Sequence, residues 1–360
     1  MLPSSKSQSF TQIPLLDLSL ASSPQTRPAL LGSLHDALIT TGFLLVENHG
    51  VPANIISDLI NVLPELFRLG EKEKEEVALV KSSAFLGWSG VGEERTGGRA
   101  DWREQFEFGT ADVGVGDKKG GKAYERLMRG VNQWPSAFPQ LRPIVETYLR
   151  ELTALSERFL ELVAEALNLP PSTFFPFLSH QHRLKLAHYA PVDTHDPSSN
   201  QGVGPHKDSS GWWTFLLQAS PPEVKGLQAL NKAGDWIDVP VIPGTFVVNI
   251  GQAFEVVTNG VCKATTHRVL SGPWERYSVP FFQGVRGDLT KKDFAALWEY
   301  FGQSEGEGVE SEEGSRIDSA FLRGKYDTWG ESQLRTKIRS HPDVGRRHYA
   351  EVFEKYINDD

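Results

Sequence analysis

Cysteine is almost missing from this chain. Its 360 residues hold one, Cys262, which excludes an intramolecular disulfide and any cysteine-ligated zinc or iron–sulfur site. Cys262 lies in an apolar, strand-like run, Val261-Cys262-Lys263-Ala264, and reads as a small buried residue rather than a nucleophile. Long apolar runs are missing too: none approaches the ~18 residues that span a bilayer. The first residues, MLPSSKSQSF, lack the apolar core of a secretory signal. No basic excess exists. Lys and Arg number 37 against 46 Asp and Glu, a net charge of −9, which argues against nucleic acid or an anionic membrane as partner. No repeat of solenoid or propeller period is visible. The expectation is a cytoplasmic monomer or weak dimer whose partner is a small molecule.

What is present suffices for a large core: 39% of residues are hydrophobic and 23% charged. Residues 13–18 read as a strand, 27–41 as a helix, 42–46 as a strand and 53–70 as a second helix, followed by the charged run 71–76. Residues 81–122 are rich in glycine and charge and read as loop with short strands. The longest helical pattern covers 137–169, interrupted by Pro143 and ended by Asn168, Pro170 and Pro171. From about residue 182 the texture changes. Short β-rich runs follow at 183–189, 212–218, 226–230, 235–239, 245–250, 261–270 and 275–285, which predicts an antiparallel sandwich or barrel. Helical patterning returns at 290–301 and 343–357, and the acidic segment 302–316 reads as a loop. The plan is therefore α+β, in four regions: 10–135, a linking helix in 136–180, a β core in 181–288, and a helical extension in 289–360.

The chemistry centres on His206-Lys207-Asp208. Residues two apart in an extended chain share a face, so this His and this carboxylate can grip one ion. Alone, such a spacing arises by chance in many sequences. The β core supplies a further histidine, His267. Two His and one carboxylate leave coordination positions open, the facial triad of non-haem iron(II) oxygenases. Beyond it comes Arg276-Tyr277-Ser278, with Arg276 and Ser278 on one face. A guanidinium beside a hydroxyl is a receptor for a carboxylate. A surface ion pair with Glu275 is the plainer role for Arg276, and the apolar run that follows disfavours it.

The order His-x-Asp, a His 59 residues after the Asp, then Arg-x-Ser resembles the isopenicillin N synthase-like branch of the 2-oxoglutarate/Fe(II)-dependent dioxygenases. The likeness runs over roughly residues 10–285 and includes Ile13-Pro14-Leu15-Leu16-Asp17, Gly42 to Pro52, Asn132-Gln133-Trp134-Pro135, Leu184 to Tyr189, and Val248-Asn249-Ile250-Gly251. It implies a double-stranded β-helix, or distorted jelly-roll, core with helices packed on one side. It implies Fe(II) on His206, Asp208 and His267, with 2-oxoglutarate on Arg276, Ser278 and Tyr189. It also implies an O2-dependent oxidation of a metabolite by hydroxylation, desaturation or cyclisation, in specialised metabolism. Three positions depart from the pattern: Lys207 where Thr is common, Ala187 where many members have Asn, and Gln252 where Asp is usual. Ala187 removes one contact to the co-substrate. An alternative is an Fe(II) oxidase that uses no 2-oxoglutarate and grips a substrate carboxylate with Arg276 and Ser278. A non-catalytic binding protein on the same fold is a third reading, disfavoured by the intact triad.

Lys185 shares a strand face with Ala187 and Tyr189, so it is either a substrate contact or a member of an internal salt bridge. Phe106, Trp212 and Phe282 are further substrate candidates, each weighed against ordinary core packing, as are Phe85, Trp88 and Phe108. Two decoys are set aside. Residues 116–122, GDKKGGK, match a Walker-type spacing, but Ala123 replaces the required Ser or Thr. His180 and His182 lack a carboxylate at matching spacing and read as structural.

Overall fold

A computed structural model describes residues 9–110, 121–127, 130–192, 201–209, 211–304, 319–322 and 325–359. The strands are β1 (Leu15–Asp17), β2 (Phe43–Glu47), β3 (Gly87–Ser89), β4 (Arg95–Thr96), β5 (Arg99–Ala100), β6 (Glu104–Gly109), β7 (Arg183–Tyr189), β8 (Gln201–His206), β9 (Gly211–Gln218), β10 (Leu227–Leu230), β11 (Trp236–Asp238), β12 (Phe246–Ile250), β13 (His267–Leu270) and β14 (Arg276–Gly284). The helices are α1 (Arg27–Thr40), α2 (Ala53–Phe67), α3 (Glu71–Glu76), α4 (Ala123–Leu127), α5 (Leu141–Ala166), α6 (Gln252–Val257), α7 (Lys291–Ala295), α8 (Trp298–Ser304), α9 (Trp329–Ser340), α10 (Pro342–His348) and α11 (Ala350–Ile357). Among the described residues no helix is long and apolar enough to cross a membrane.

Two sheets form the core. The larger runs β1-β2-β12-β9-β14-β7-β6-β3 and the smaller β11-β10-β13-β8. Between them lies an apolar layer that includes Phe43, Leu45, Ala187, Val203, Ala229, Val247 and Val269. The larger sheet's other face carries α5. Its apolar residues recur at helical spacing, from Leu141 through Val145, Tyr148 and Leu152 to Phe159. Phe159 meets Trp213 and Phe215 edge-on, each at 5.4 Å. Pro143 does not interrupt this helix. It falls in the first turn, where the missing N–H has no intrahelical acceptor. Asn168 closes the other end at φ 57°, while the Leu169 N–H returns to the Ala164 carbonyl at 2.8 Å.

Several sequence expectations change. The segment read as loop with short strands holds β3 to β6, and the longest of these, β6, is a full six-residue member of the larger sheet paired with both β7 and β3. The run 261–270 is strand only over His267–Leu270, and Cys262 sits buried in the turn before it. The charged run 71–76 is helical, with Glu73 accepting the Gly70 N–H at 2.8 Å. Strand β8 and helix α9 carry no clear sequence signal. The Walker-like run and the acidic 302–316 segment lie largely outside the described residues.

Candidate functional site

His206 ends β8 and His267 begins β13, and the ladder sets the two directly opposite each other. Their rings lie 4.3 Å apart. Asp208 follows two residues after His206. Its Oδ1 is 3.6 Å from the Nε2 of each histidine, and the three ligand atoms fall within 4.8 Å of one another. Each imidazole is oriented from behind. His206 Nδ1 faces the Gly204 carbonyl at 2.8 Å and His267 Nδ1 the Thr265 carbonyl at 3.0 Å. A proton on Nδ1 leaves the Nε2 lone pair for a metal. Asp208 is tethered likewise: Thr214 Oγ1 donates to Oδ2 at 2.5 Å and Asn249 Nδ2 at 2.7 Å, so Oδ1 is the oxygen left for an ion. Burial alone would raise the Asp208 carboxyl; the adjacent imidazoles overcome it and hold the group well below its ordinary range. Burial likewise works against a charged His267, and the Asp208 charge outweighs it and raises that imidazole.

The backbone locks this loop in place. Gln252 N–H donates to the Asp208 carbonyl at 2.8 Å, and Gly251 N–H to the Trp212 carbonyl at 3.1 Å. A Cβ at Gly251 would collide with the Gly211 carbonyl oxygen, so only glycine lets β12 and β9 approach this closely. Lys207 points away, pairing with Glu255 of α6 at 3.0 Å.

Across β14 and β7 the register pairs Arg276 with Tyr189 and Ser278 with Ala187. All four are buried. The Arg276 guanidinium lies 4.9 Å over the Tyr189 ring. Its two terminal nitrogens are buried without a well-formed hydrogen bond among the described residues. Two unmet donors in one planar fork match a carboxylate. Burial would raise the Tyr189 phenol, but Arg103 and Arg276 pull it below its ordinary value, which strengthens it as a donor.

The tentative substrate residues separate. Phe282 stays on the inner face, opposite Thr214 of β9, and is half-buried. Phe106 does not face the site: it points from β6 to the helical side, 5.5 Å from Phe67 of α2. Trp212 also leaves the site, because β8 and β9 belong to different sheets and strand alternation from His206 does not carry across to it. It packs against Phe174, Phe177 and Phe254. Lys185 is occupied, with Glu94 at 2.9 Å and Glu107 at 3.8 Å. Phe85 and Phe108 are core residues, on Tyr349 and Trp134 respectively, and the Trp88 indole donates to Glu104 at 3.1 Å. His182 is structural, its Nδ1 accepting the Gly284 N–H at 2.9 Å.

Sequence reasoning missed the ionic cluster around Lys185. Glu94 also binds Arg103 at 2.6 Å, and Glu107 binds Lys337 of α9 at 2.7 Å and Arg183 at 3.5 Å. It missed Thr214 and Asn249 as well. A lone amide in the buried run Phe246-Val247-Val248-Asn249-Ile250 is the signal that marks Asn249.

Comparison with known proteins fits this geometry. Residues 13–137 match the model of the N-terminal region of non-haem dioxygenases in morphine synthesis, and residues 180–285 match the 2OG-Fe(II) oxygenase superfamily. The chain is 40% identical over 355 residues to the 2-oxoglutarate-dependent dioxygenase frbJ of Dothideomycetidae sp. (strain 11243), covering 96% of this chain and 94% of that one. It is 30% identical over 302 residues to the homoarginine-6-hydroxylase 2-ODD-C23 of Glycine max, covering 78% and 87%. In fold it resembles a full-length Neurospora crassa protein solved in complex with α-ketoglutarate, with a TM-score of 0.67 at 21% identity over 90% of this chain and 95% of that one.

Proposed function

Because the chain belongs to the 2OG-Fe(II) oxygenase superfamily, and is thus a 2-oxoglutarate- and O2-dependent enzyme acting on a small metabolite, we propose that His206, Asp208 and His267 hold its Fe(II) and that Arg276, Ser278 and Tyr189 hold its 2-oxoglutarate. Two observations support this most strongly: three ligand atoms within 4.8 Å, and, on the larger sheet, a buried guanidinium with two unmet nitrogens over the Tyr189 ring. The donor set is two neutral imidazoles and one carboxylate, which suits Fe(II) and leaves a face open. Bound there, the metal supplies oxygen activation against the keto acid, which leaves as succinate and CO2 while the substrate is oxidised.

The protein's own groups do the positioning. The Gly204 and Thr265 carbonyls fix both imidazole tautomers. Thr214 and Asn249 hold Asp208 to one free oxygen. Arg276 and Ser278 set the reach of the organic acid from the metal, and the apolar layer between the sheets excludes water. The superfamily co-substrate, rather than a substrate carboxylate, is the acid assigned to Arg276, which disfavours the oxidase alternative. Hydroxylation is the outcome we assign, because it is the activity named for the Glycine max relative. The setting assigned is specialised metabolism in the cytoplasm, as a monomer or weak dimer. The test is anaerobic titration of Fe(II) and 2-oxoglutarate, then a metabolite-extract screen for succinate release. His206→Ala is expected to abolish metal binding, and Arg276→Ala to weaken 2-oxoglutarate binding at least tenfold with the metal retained. Retention of full activity in His206→Ala would sink the assignment.

A further inference from the structure

The cluster around Glu94 leaves two polar groups over. Glu94 Oε2 accepts from Arg103 Nη2 and from Gln105 Nε2, both at 2.6 Å. Lys185 Nζ reaches Oε1 at 2.9 Å, and His341 Nε2 lies 3.7 Å from it. Burial would raise the Glu94 carboxyl, but Arg103 and Lys185 hold it well below its ordinary range. Glu94 is therefore a carboxylate and only accepts. That fixes the Gln105 amide: Nε2 must face Glu94, because the flipped amide would oppose two acceptors. Gln105 Oε1 is then a leftover acceptor, on a side chain 1% exposed, without a partner among the described residues. Arg103 Nε is a leftover donor with the same status.

Both lie beside the organic-acid pocket. Gln105 stands opposite Ala187, which stands opposite Ser278 on the next strand. Arg103 is a close charged neighbour of Tyr189. The methyl group of Ala187 leaves the longer Gln105 side chain room that a larger residue there would take. One donor and one acceptor, hung on one carboxylate oxygen, call for a ligand edge with the complementary pair. A carboxylate fails, because it would press an acceptor on Gln105 Oε1. An ammonium fails too: it leaves Arg103 Nε unmet and adds a cation beside Arg103, Lys185 and Lys337. A primary amide or a lactam fits, since its N–H and C=O point from the same edge, whereas a trans secondary amide directs them to opposite sides.

Resting on the oxygenase reading above, we propose that Arg103 and Gln105, gathered on Glu94, bind the substrate through an amide edge, so that the enzyme acts on a molecule bearing a primary carboxamide or a lactam. The full chain, loaded with Fe(II) and 2-oxoglutarate in air, is assayed for succinate release. The probes are paired small lactams with their N-methyl lactams, and primary amides with their methyl esters. Amide and lactam members are expected to stimulate release at least about tenfold more, in kcat/KM, than their partners. Arg103→Lys keeps the charge beside Glu94 but lacks the Nε–H, and Gln105→Met removes the acceptor. Each is expected to erase that preference with thermal melts confirming folding, and in Gln105→Met the 2-oxoglutarate Kd stays at the wild-type value. Three results overturn the proposal: N-methyl or ester partners equal to their amides, a panel in which no member raises succinate release, or a Gln105→Met variant that weakens 2-oxoglutarate as much as Arg276→Ala. If 2-oxoglutarate itself does not bind the Fe(II)-loaded wild type, the oxygenase reading fails instead, and the two failures are told apart by that measurement.

Discussion

Asp208 shows how a single carboxylate is made into a directional ligand. Both of its oxygens are committed, Oδ2 to Thr214 and Asn249, Oδ1 to the space between the histidines. Asn249→Leu removes one tether and leaves the other. Its Fe(II) affinity is expected to fall about 10- to 100-fold, read by competitive metal titration, with the histidine ligands intact. Cys262 behaves oppositely, as a group without chemistry. Burial pushes its thiol up to about 12, so a thiol reagent at pH 8 should find no reactive group until denaturant is added, when one equivalent should react. Of the three ligands, His206 and Asp208 were legible from their spacing of two, and His267, 59 positions after Asp208, from its place in the β-rich core and the Arg-x-Ser that follows it. Thr214 and Asn249 lie 6 and 41 positions from Asp208, and only strand pairing reveals what they touch. Lys185 was legible as buried but not as satisfied, because Glu94 is 91 positions away.

Helix α9 and strand β6 explain where periodicity fails. Hydrophobic patterning assumes that inward means apolar. In β6 the inward residues are Gln105 and Glu107, both buried, and in α9 Gln333 is buried while Lys337 reaches in to Glu107. Glu107 and Lys337 satisfy each other, while Gln105 donates to Glu94 and Gln333 to the Ser209 carbonyl, so the buried polar faces of both elements read as solvent-facing in the sequence. The elements with apolar inner faces, α5 and β12, were readable from sequence for the same reason. The ion pairs between β6 and α9 carry a definite energetic consequence. Lys337→Ala leaves Glu107, with a fully buried side chain, short of one cation. Unfolding free energy is expected to drop by about 2–4 kcal/mol in denaturant titrations, and Glu107→Gln in the same background to recover part of it. Full additivity of the two changes would refute the coupling.

The whole molecule should respond to acid in two stages. Burial holds the His182 imidazole at about 4, below its ordinary 6.5. Between those values the unfolded chain binds more protons than the folded one. Stability is therefore complete above pH 6.5 and declines as pH falls, by about 3 kcal/mol at pH 4. Glu107 follows lower down. Burial would raise it, yet Lys337, Lys185 and Arg183 hold it at about 2, so its contribution is present above pH 4.5 and is lost from there through pH 2. Denaturant midpoints measured at each pH test this, and His182→Gln should flatten only the upper stage. The two histidine ligands stand on the smaller sheet, whereas both tethers of Asp208 stand on the larger. An ion at their centre is thus a rivet through the sandwich. At a hundredfold excess over Kd it adds about 2.7 kcal/mol to folding, so the melting temperature should climb with added Mn(II) or Fe(II) and stay flat in His206→Ala. Inside a cell, iron supply would then govern how long each copy of the chain survives its proteases, and scarcity would thin the enzyme's numbers as well as idle those that remain.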